Sequence, residues 1–271
     1  MSATRTILAL GGGGFTMEPT NPLLDDYVLT LSAAAEPKVL FLPTASGDTT
    51  AQINAFYDRF GGRACTPKHA SLFRLDELDQ PLEDVVMAHD IVYVGGGSMR
   101  NLLAIWRAHE LDRILAAAWR RGVVMAGLSA GAMCWFEGGV SRSGGSPEPL
   151  PGLGLLPGSL SVHADGEPDR LPVWLDCLRS GTLPGGWAAE DGVGLLFRGT
   201  KLERAVSSRA GAQAQRVDAV EGELVRERIE PDLLGAHGAP APTMDDDVRE
   251  YRRVQRIRGQ MRGRLHRFED I

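Results

Sequence analysis

Val123-Val124-Met125-Ala126-Gly127-Leu128-Ser129-Ala130-Gly131-Ala132-Met133-Cys134-Trp135-Phe136 passes from an apolar run, through a corner of small residues, into a segment able to begin a helix. An apolar run without alternation indicates a strand buried on both faces, as in a parallel sheet. A strand that turns sharply into a helix needs small residues on both sides of the corner, and Gly127, Ala130 and Gly131 supply them. Such a corner lifts the Ser129 hydroxyl out of the sheet top and aims the Ala130 amide and the helix N-terminus at any oxyanion formed there. Ser129 is therefore read as a nucleophile. Cys134 is read as a core residue of the elbow helix, because free cysteine packs as a small hydrophobe.

Three further strand candidates precede this one. Thr6-Ile7-Leu8-Ala9-Leu10 runs into Gly11-Gly12-Gly13-Gly14, Val39-Leu40-Phe41-Leu42-Pro43 into Thr44-Ala45-Ser46-Gly47, and Ile91-Val92-Tyr93-Val94 into Gly95-Gly96-Gly97-Ser98. Helical spacing over 21–35, 99–106 and 111–119 separates them. The expected fold is α/β: a doubly wound, mostly parallel sheet sandwiched by helices. Loops at the carboxyl ends of such strands converge on the ligand crevice, so the three loops and the Ser129 elbow should meet. Gly11–Gly14 does not fit Gly-x-Gly-x-x-Gly, since Thr16 and Met17 stand at the sixth positions, and no Gly-Lys-Ser/Thr follows. That argues against a nucleotide phosphate site. The 95–97 loop has a better use, because amides on a glycine loop beside the elbow can supply a second oxyanion donor where a side chain would block the approach.

Beyond residue 138 the pattern changes. Gly138–Gly158 holds seven glycines and four prolines, which is loop or short-hairpin chemistry. A helix is expected over 171–178, and short antiparallel strands near the sheet edge over 192–197, 204–207 and 214–217. Residues 235–244 read as a linker after a domain spanning 1–234. Residues 245–271 read as an amphipathic C-terminal helix, with Asp245-Asp246-Asp247 at its start and eight arginines between Arg249 and Arg267. Docking on its own domain or on a twin subunit is the expected use of that helix; nucleic acid or an acidic partner is the rival.

The 271 residues, 43% hydrophobic and 24% charged, describe an ordinary globular chain. No apolar run approaches the roughly 20 residues that a bilayer span needs, so no membrane partner and a cytoplasmic location are expected. Cys65, Cys134 and Cys177 include no close pair, which argues against a disulfide framework or a zinc site, and neither metal nor cofactor is expected. A net charge of −6 makes nucleic acid an unlikely partner.

A serine at neutral pH needs a base, normally histidine, itself oriented by a third group. His163 ends an apolar stretch just where a strand would hand over to the acidic loop Ala164-Asp165-Gly166-Glu167, and it is the candidate base. His69, His89, His109, His237 and His266 compete less well. For the third member, Glu137 is taken first, with Asp165, Glu167, Glu190 and Asp191 left open.

On the stretches 8–14, 39–46, 93–97, 127–132 and 153–167, the chain resembles the peptidase E family of serine peptidases. Cyanophycinases also belong to that family, which shares the class I glutamine amidotransferase-like fold. The resemblance spans about residues 6–210. It implies Ser129 as nucleophile, His163 as base, an oxyanion hole from Gly96 or Gly97 with Ala130, and a homodimer. It also implies a dipeptidase that hydrolyses short peptides, with Arg170 gripping an N-terminal aspartate side chain. One departure stands out: the family's acid normally follows the serine by 13 to 18 residues, and Ser141-Arg142-Ser143 occupies that place. A catalytically weakened relative that binds a small acidic or peptide ligand is the alternative. A carboxylate at His163 Nδ1 would favour the enzyme and a guanidinium there the binder. Glutamine amidotransferase activity is disfavoured, because that chemistry normally needs cysteine where Ser129 stands.

Overall fold

The computed structural model describes residues 4–235. The expected C-terminal helix, and the linker beyond its first residue, lie outside the described residues. In the first half of the chain β1 (Thr6–Leu10), β2 (Lys38–Leu42), β3 (Thr66–His69), β4 (Ile91–Val94) and β5 (Val124–Leu128) alternate with helices. These are α1 (Gly14–Met17), α2 (Leu23–Thr30), α3 (Thr50–Phe60), α4 (Leu82–Met87), α5 (Met99–Ala108) and α6 (Leu111–Arg120). After the elbow come α7 (Ala130–Met133), β6 (Phe136–Ser141), β7 (Glu148–Pro151), β8 (Leu156–Ser161) and α8 (Arg170–Arg179). The described chain ends with β9 (Gly186–Ala189), β10 (Val193–Arg198), β11 (Lys201–Ser207), β12 (Ala214–Val220), β13 (Glu223–Ile229) and β14 (Asp232–Leu233).

The main sheet has the order β14-β11-β10-β1-β5-β4-β2-β3. Its five first-half strands are mutually parallel, and β10 joins β1 antiparallel. Parallel strands need crossovers, and the helices that make them cover both faces. One face buries Phe15, Phe41, Phe56, Phe60 and Tyr93; the other buries Trp106, Leu111, Leu115, Trp135 and Phe197. The expected α/β sandwich is what forms.

A second, six-stranded sheet, β13-β12-β9-β8-β6-β7, is absent from the sequence reading. The Gly- and Pro-rich stretch expected as loop or short hairpin supplies three of its strands, β6 and β7 pairing antiparallel, because glycine lets backbones approach where side chains would collide: a Cβ on Gly139 would lie 2.7 Å from Leu160 O. The elbow helix is correspondingly short, four residues before the chain turns into β6. The second sheet stacks on the main one through Phe197, whose ring sits edge-on to Phe136 and Trp187 at centroid distances of 5.6 and 5.2 Å. Helix α8 covers its other face with Trp174, Leu175 and Leu178 against Val140 and Val217.

Candidate active site

Ser129 sits at φ 54°, ψ −112°, between the end of β5 and the start of α7. A non-glycine residue held there is strained by about 1–3 kcal/mol, and the surroundings must over-determine it. Its N–H is tied to Leu10 O at 3.1 Å, while its carbonyl accepts from Ala132 and Met133. The flanking glycines are required by close approach: a Cβ on Gly127 would lie 2.0 Å from Gly131 O, and one on Gly131 2.5 Å from Val94 O. Cys134 is fully buried, its thiol on Gly131 O, and burial pushes its pKa up.

The loop after β4 lies against this corner. A Cβ on Gly96 would stand 3.4 Å from Ser129 Cβ, and Ser98 N–H donates to Ala45 O at 2.7 Å, so the loops after β2, β4 and β5 meet as expected. Among the described residues, the amides of Gly96, Gly97 and Ala130 are paired with no acceptor. Free amides beside a serine hydroxyl are what a developing oxyanion needs.

His163 follows β8 and is 8% exposed. It has φ 53°, in the left-handed region that histidine enters more readily than most side chains. Its N–H donates to Gly11 O at 3.0 Å, and its carbonyl accepts from Gly166 and Glu167, so the backbone is held at both ends. Nε2 lies 2.9 Å from Ser129 Oγ, and Nδ1 lies 2.6 Å from Asp191 Oδ1. Ser129, His163 and Asp191 thus form one hydrogen-bonded series, an arrangement able to make a serine hydroxyl reactive at neutral pH.

The carboxylate on His163 is Asp191, and the assignment of Glu137 is corrected. Glu137 is the exposed residue of β6 and accepts from Gly158 N–H at 2.8 Å. The other acids left open have their own partners. Asp165 accepts the Asp191 N–H at 2.8 Å, which steadies the turn that carries the third member. Glu190 accepts from Gln213 N–H at 2.8 Å. Glu167 holds Arg170 through two hydrogen bonds of 3.1 and 3.2 Å.

Arg142 faces Glu167 at 3.9 Å, so no guanidinium occupies the place at Nδ1. Arg170 opens α8 and is buried at 5% exposure, with Nη1 on Met133 Sδ. Burial draws its pKa down and Glu167 beside it opposes that. Two guanidiniums therefore share one carboxylate on the turn that follows the histidine.

Gly12 is a residue whose role the sequence reading missed. A Cβ there would lie 1.8 Å from Asp191 Oδ1 and 2.8 Å from His163 Nδ1, so the first glycine loop leaves room for the Asp191–His163 contact. The other described histidines lie elsewhere: His69 pairs with Tyr57, His89 with Val85 O, and His109 caps α5. His237 and His266 lie outside the described residues.

The model of peptidase family S51 matches residues 7–205. The uncharacterized peptidase YgaJ of Bacillus subtilis (strain 168) is 47% identical over 231 residues, covering 85% of this chain and all of the relative. Among solved structures, a peptidase from an acI-B1 Actinobacterium superposes with a TM-score of 0.62 at 18% identity, covering 84% of this chain and 95% of that one. A Listeria monocytogenes EGD-e protein provisionally named peptidase E superposes with a TM-score of 0.53 at 13% identity, covering 84% of this chain and all of that one. The two superpositions agree with the α/β fold, and the family match covers both Ser129 and Asp191: the chain belongs to peptidase family S51.

Proposed function

We propose that the protein is a serine exopeptidase that hydrolyses short peptides, dipeptides first among them, through an acyl-enzyme on Ser129. The observation that carries the reading is the series Ser129 Oγ, His163 Nε2 and Nδ1, Asp191 Oδ1, with contacts of 2.9 and 2.6 Å. Ser129 Oγ attacks the scissile carbonyl as His163 Nε2 takes its proton. Asp191 holds the Nδ1–H tautomer and stabilises the imidazolium that forms. The oxyanion receives the free amides of Ala130 and of Gly96 or Gly97. Collapse of the tetrahedral species breaks the C–N bond, and His163 gives its proton to the departing amine. Water, deprotonated by the same nitrogen, then releases the acyl group.

The Arg142–Glu167–Arg170 group carries one surplus positive charge, with half-exposed Arg142 as its accessible member. That supports an acidic residue at the substrate's N-terminal position. The rival, a ligand-binding protein without an orienting carboxylate, has Asp191 against it.

The test is amino acid release from Asp-X, Glu-X, Gly-X and Ala-X dipeptides, with Ser129→Ala alongside. The wild type should cleave at least one class, and the variant should lose about 10⁴- to 10⁶-fold in kcat while its circular dichroism is unchanged. Cleavage retained in Ser129→Ala would overturn the reading.

A further inference from the structure

We infer that Gln52, on α3 and remote in sequence from every site residue, is a positioning residue that aims the oxyanion loop; the inference rests on the serine-peptidase reading above. Its Nε2 donates to Gly96 O at 3.2 Å. A trans peptide holds its C=O and N–H on opposite sides of the bond, so fixing the Gly96 carbonyl also fixes the direction of the Gly97 N–H. Gln52 pulls the oxygen toward α3 and thereby turns that amide away from α3. The same loop passes within contact distance of Ser129, at Gly96.

The loop needs such a tie. Its ends are fixed by Gly95 N–H on Leu42 O at 3.1 Å and Ser98 N–H on Ala45 O at 2.7 Å. Between these two anchors lie two glycines with no side chains of their own, so the intervening peptide can rotate where bulkier residues would resist. Among the described residues, the Gln52 amide is the only hydrogen-bonding partner of that peptide. The amide packs closely on the loop: among the described residues its Oε1 is buried without a hydrogen-bond partner, a Cβ on Gly95 would lie 2.9 Å from it, and its one hydrogen bond is the donation to Gly96 O. Removing one preorganised oxyanion donor costs about 10²- to 10³-fold in kcat, and releasing its aim should cost somewhat less, about 10- to 100-fold.

The experiment compares wild type with Gln52→Met, which keeps the length and loses the donor, and with Gln52→Glu. It reads kcat and KM on the best dipeptide of the panel. It also reads the rate at which a fluorophosphonate labels Ser129, which needs no peptide substrate. Gln52→Met should lower kcat about 10- to 100-fold with KM nearly unchanged and slow the labelling in step. Gln52→Glu should be impaired near neutral pH and recover relative to wild type as the medium is acidified, because only the protonated carboxyl can donate to Gly96 O. A structural role alone would not produce that recovery. An unchanged kcat in a folded Gln52→Met protein would overturn the inference. So would a rise in KM alone, or, if Gln52→Met does not fold, a Gln52→Glu profile parallel to wild type. Wild-type Ser129 that reacts with neither peptides nor fluorophosphonate would instead bring down the serine-peptidase reading, and this inference with it.

Discussion

The two halves of the site are built differently. Ser129 and the Gly95–Ser98 loop stand at the ends of adjacent parallel strands, β5 and β4, and each is a turn whose small residues are contiguous in sequence. His163 and Asp191, 28 residues apart, follow β8 and β9, neighbouring parallel strands of the second sheet, and the stacking of that sheet on the main one brings the pair to Ser129. The Ser129 half is a contiguous motif on the main sheet. The His163–Asp191 half depends on the pairing of β8 with β9, on packing through Phe136, Trp187 and Phe197, and on Gly12, which leaves it space.

The largest expected break in this comparison is His163→Ala, which should lower kcat by about 10⁴- to 10⁶-fold while leaving Ser129 on an intact elbow; dipeptide hydrolysis together with a thermal melt would check both statements. Next comes Gly12→Ala. Its methyl group would fall on Asp191 Oδ1 and His163 Nδ1, so the acid–base pair must shift. A displacement of about 1 Å costs about 10²-fold, and the loss should appear in kcat on the same dipeptide.

The smallest effect on activity belongs to the buried cluster beneath the first glycine loop. Asp25 is fully buried, ion-paired with Arg59 at 3.0 Å and hydrogen-bonded by Tyr93. Burial raises its pKa from 3.8 to about 7 against the opposing pull of Arg59. The folded state therefore keeps a proton that the unfolded chain has lost, so this group makes stability fall as pH rises from 3.8 to about 7 and has no further effect above. Asp25→Asn should flatten that part of the pH–stability curve, read by urea melts, while leaving kcat unchanged. Arg59 retains hydrogen bonds to the carbonyls of Glu18, Pro19 and Asn21 in that variant.

The same division governs what could be read in advance. Strands β1, β2, β4 and β5, the elbow and the convergence of their loops follow from apolar runs ending in glycine, because burial on both faces leaves a contiguous signature. His163 was visible as a histidine at the end of an apolar stretch. Asp191 was only one of several acids, since nothing local distinguishes it from Glu137 or Glu190. A signal did exist: β10 pairs antiparallel with β1, Leu10 facing Gly194, so the start of that strand lies at the crevice end of the sheet. The strand over 192–197 was itself expected; pairing its start with the end of β1 is the step that brings the preceding acid to the site. The second sheet was missed because its β6–β8 segment is rich in glycine and proline, where a turn and a close-packed strand look alike. Helix α3, the source of Gln52, was also unread; of its eleven residues only Phe56 and Phe60 are buried.

The most direct test of this account sets Asp191→Asn beside Glu137→Gln and measures kcat/KM on the best dipeptide substrate. Loss of about 10⁴-fold in Asp191→Asn, with Glu137→Gln indistinguishable from wild type, is the expected result. Full activity in Asp191→Asn, or a comparable loss in Glu137→Gln, would contradict the assembly of the site from the two sheets.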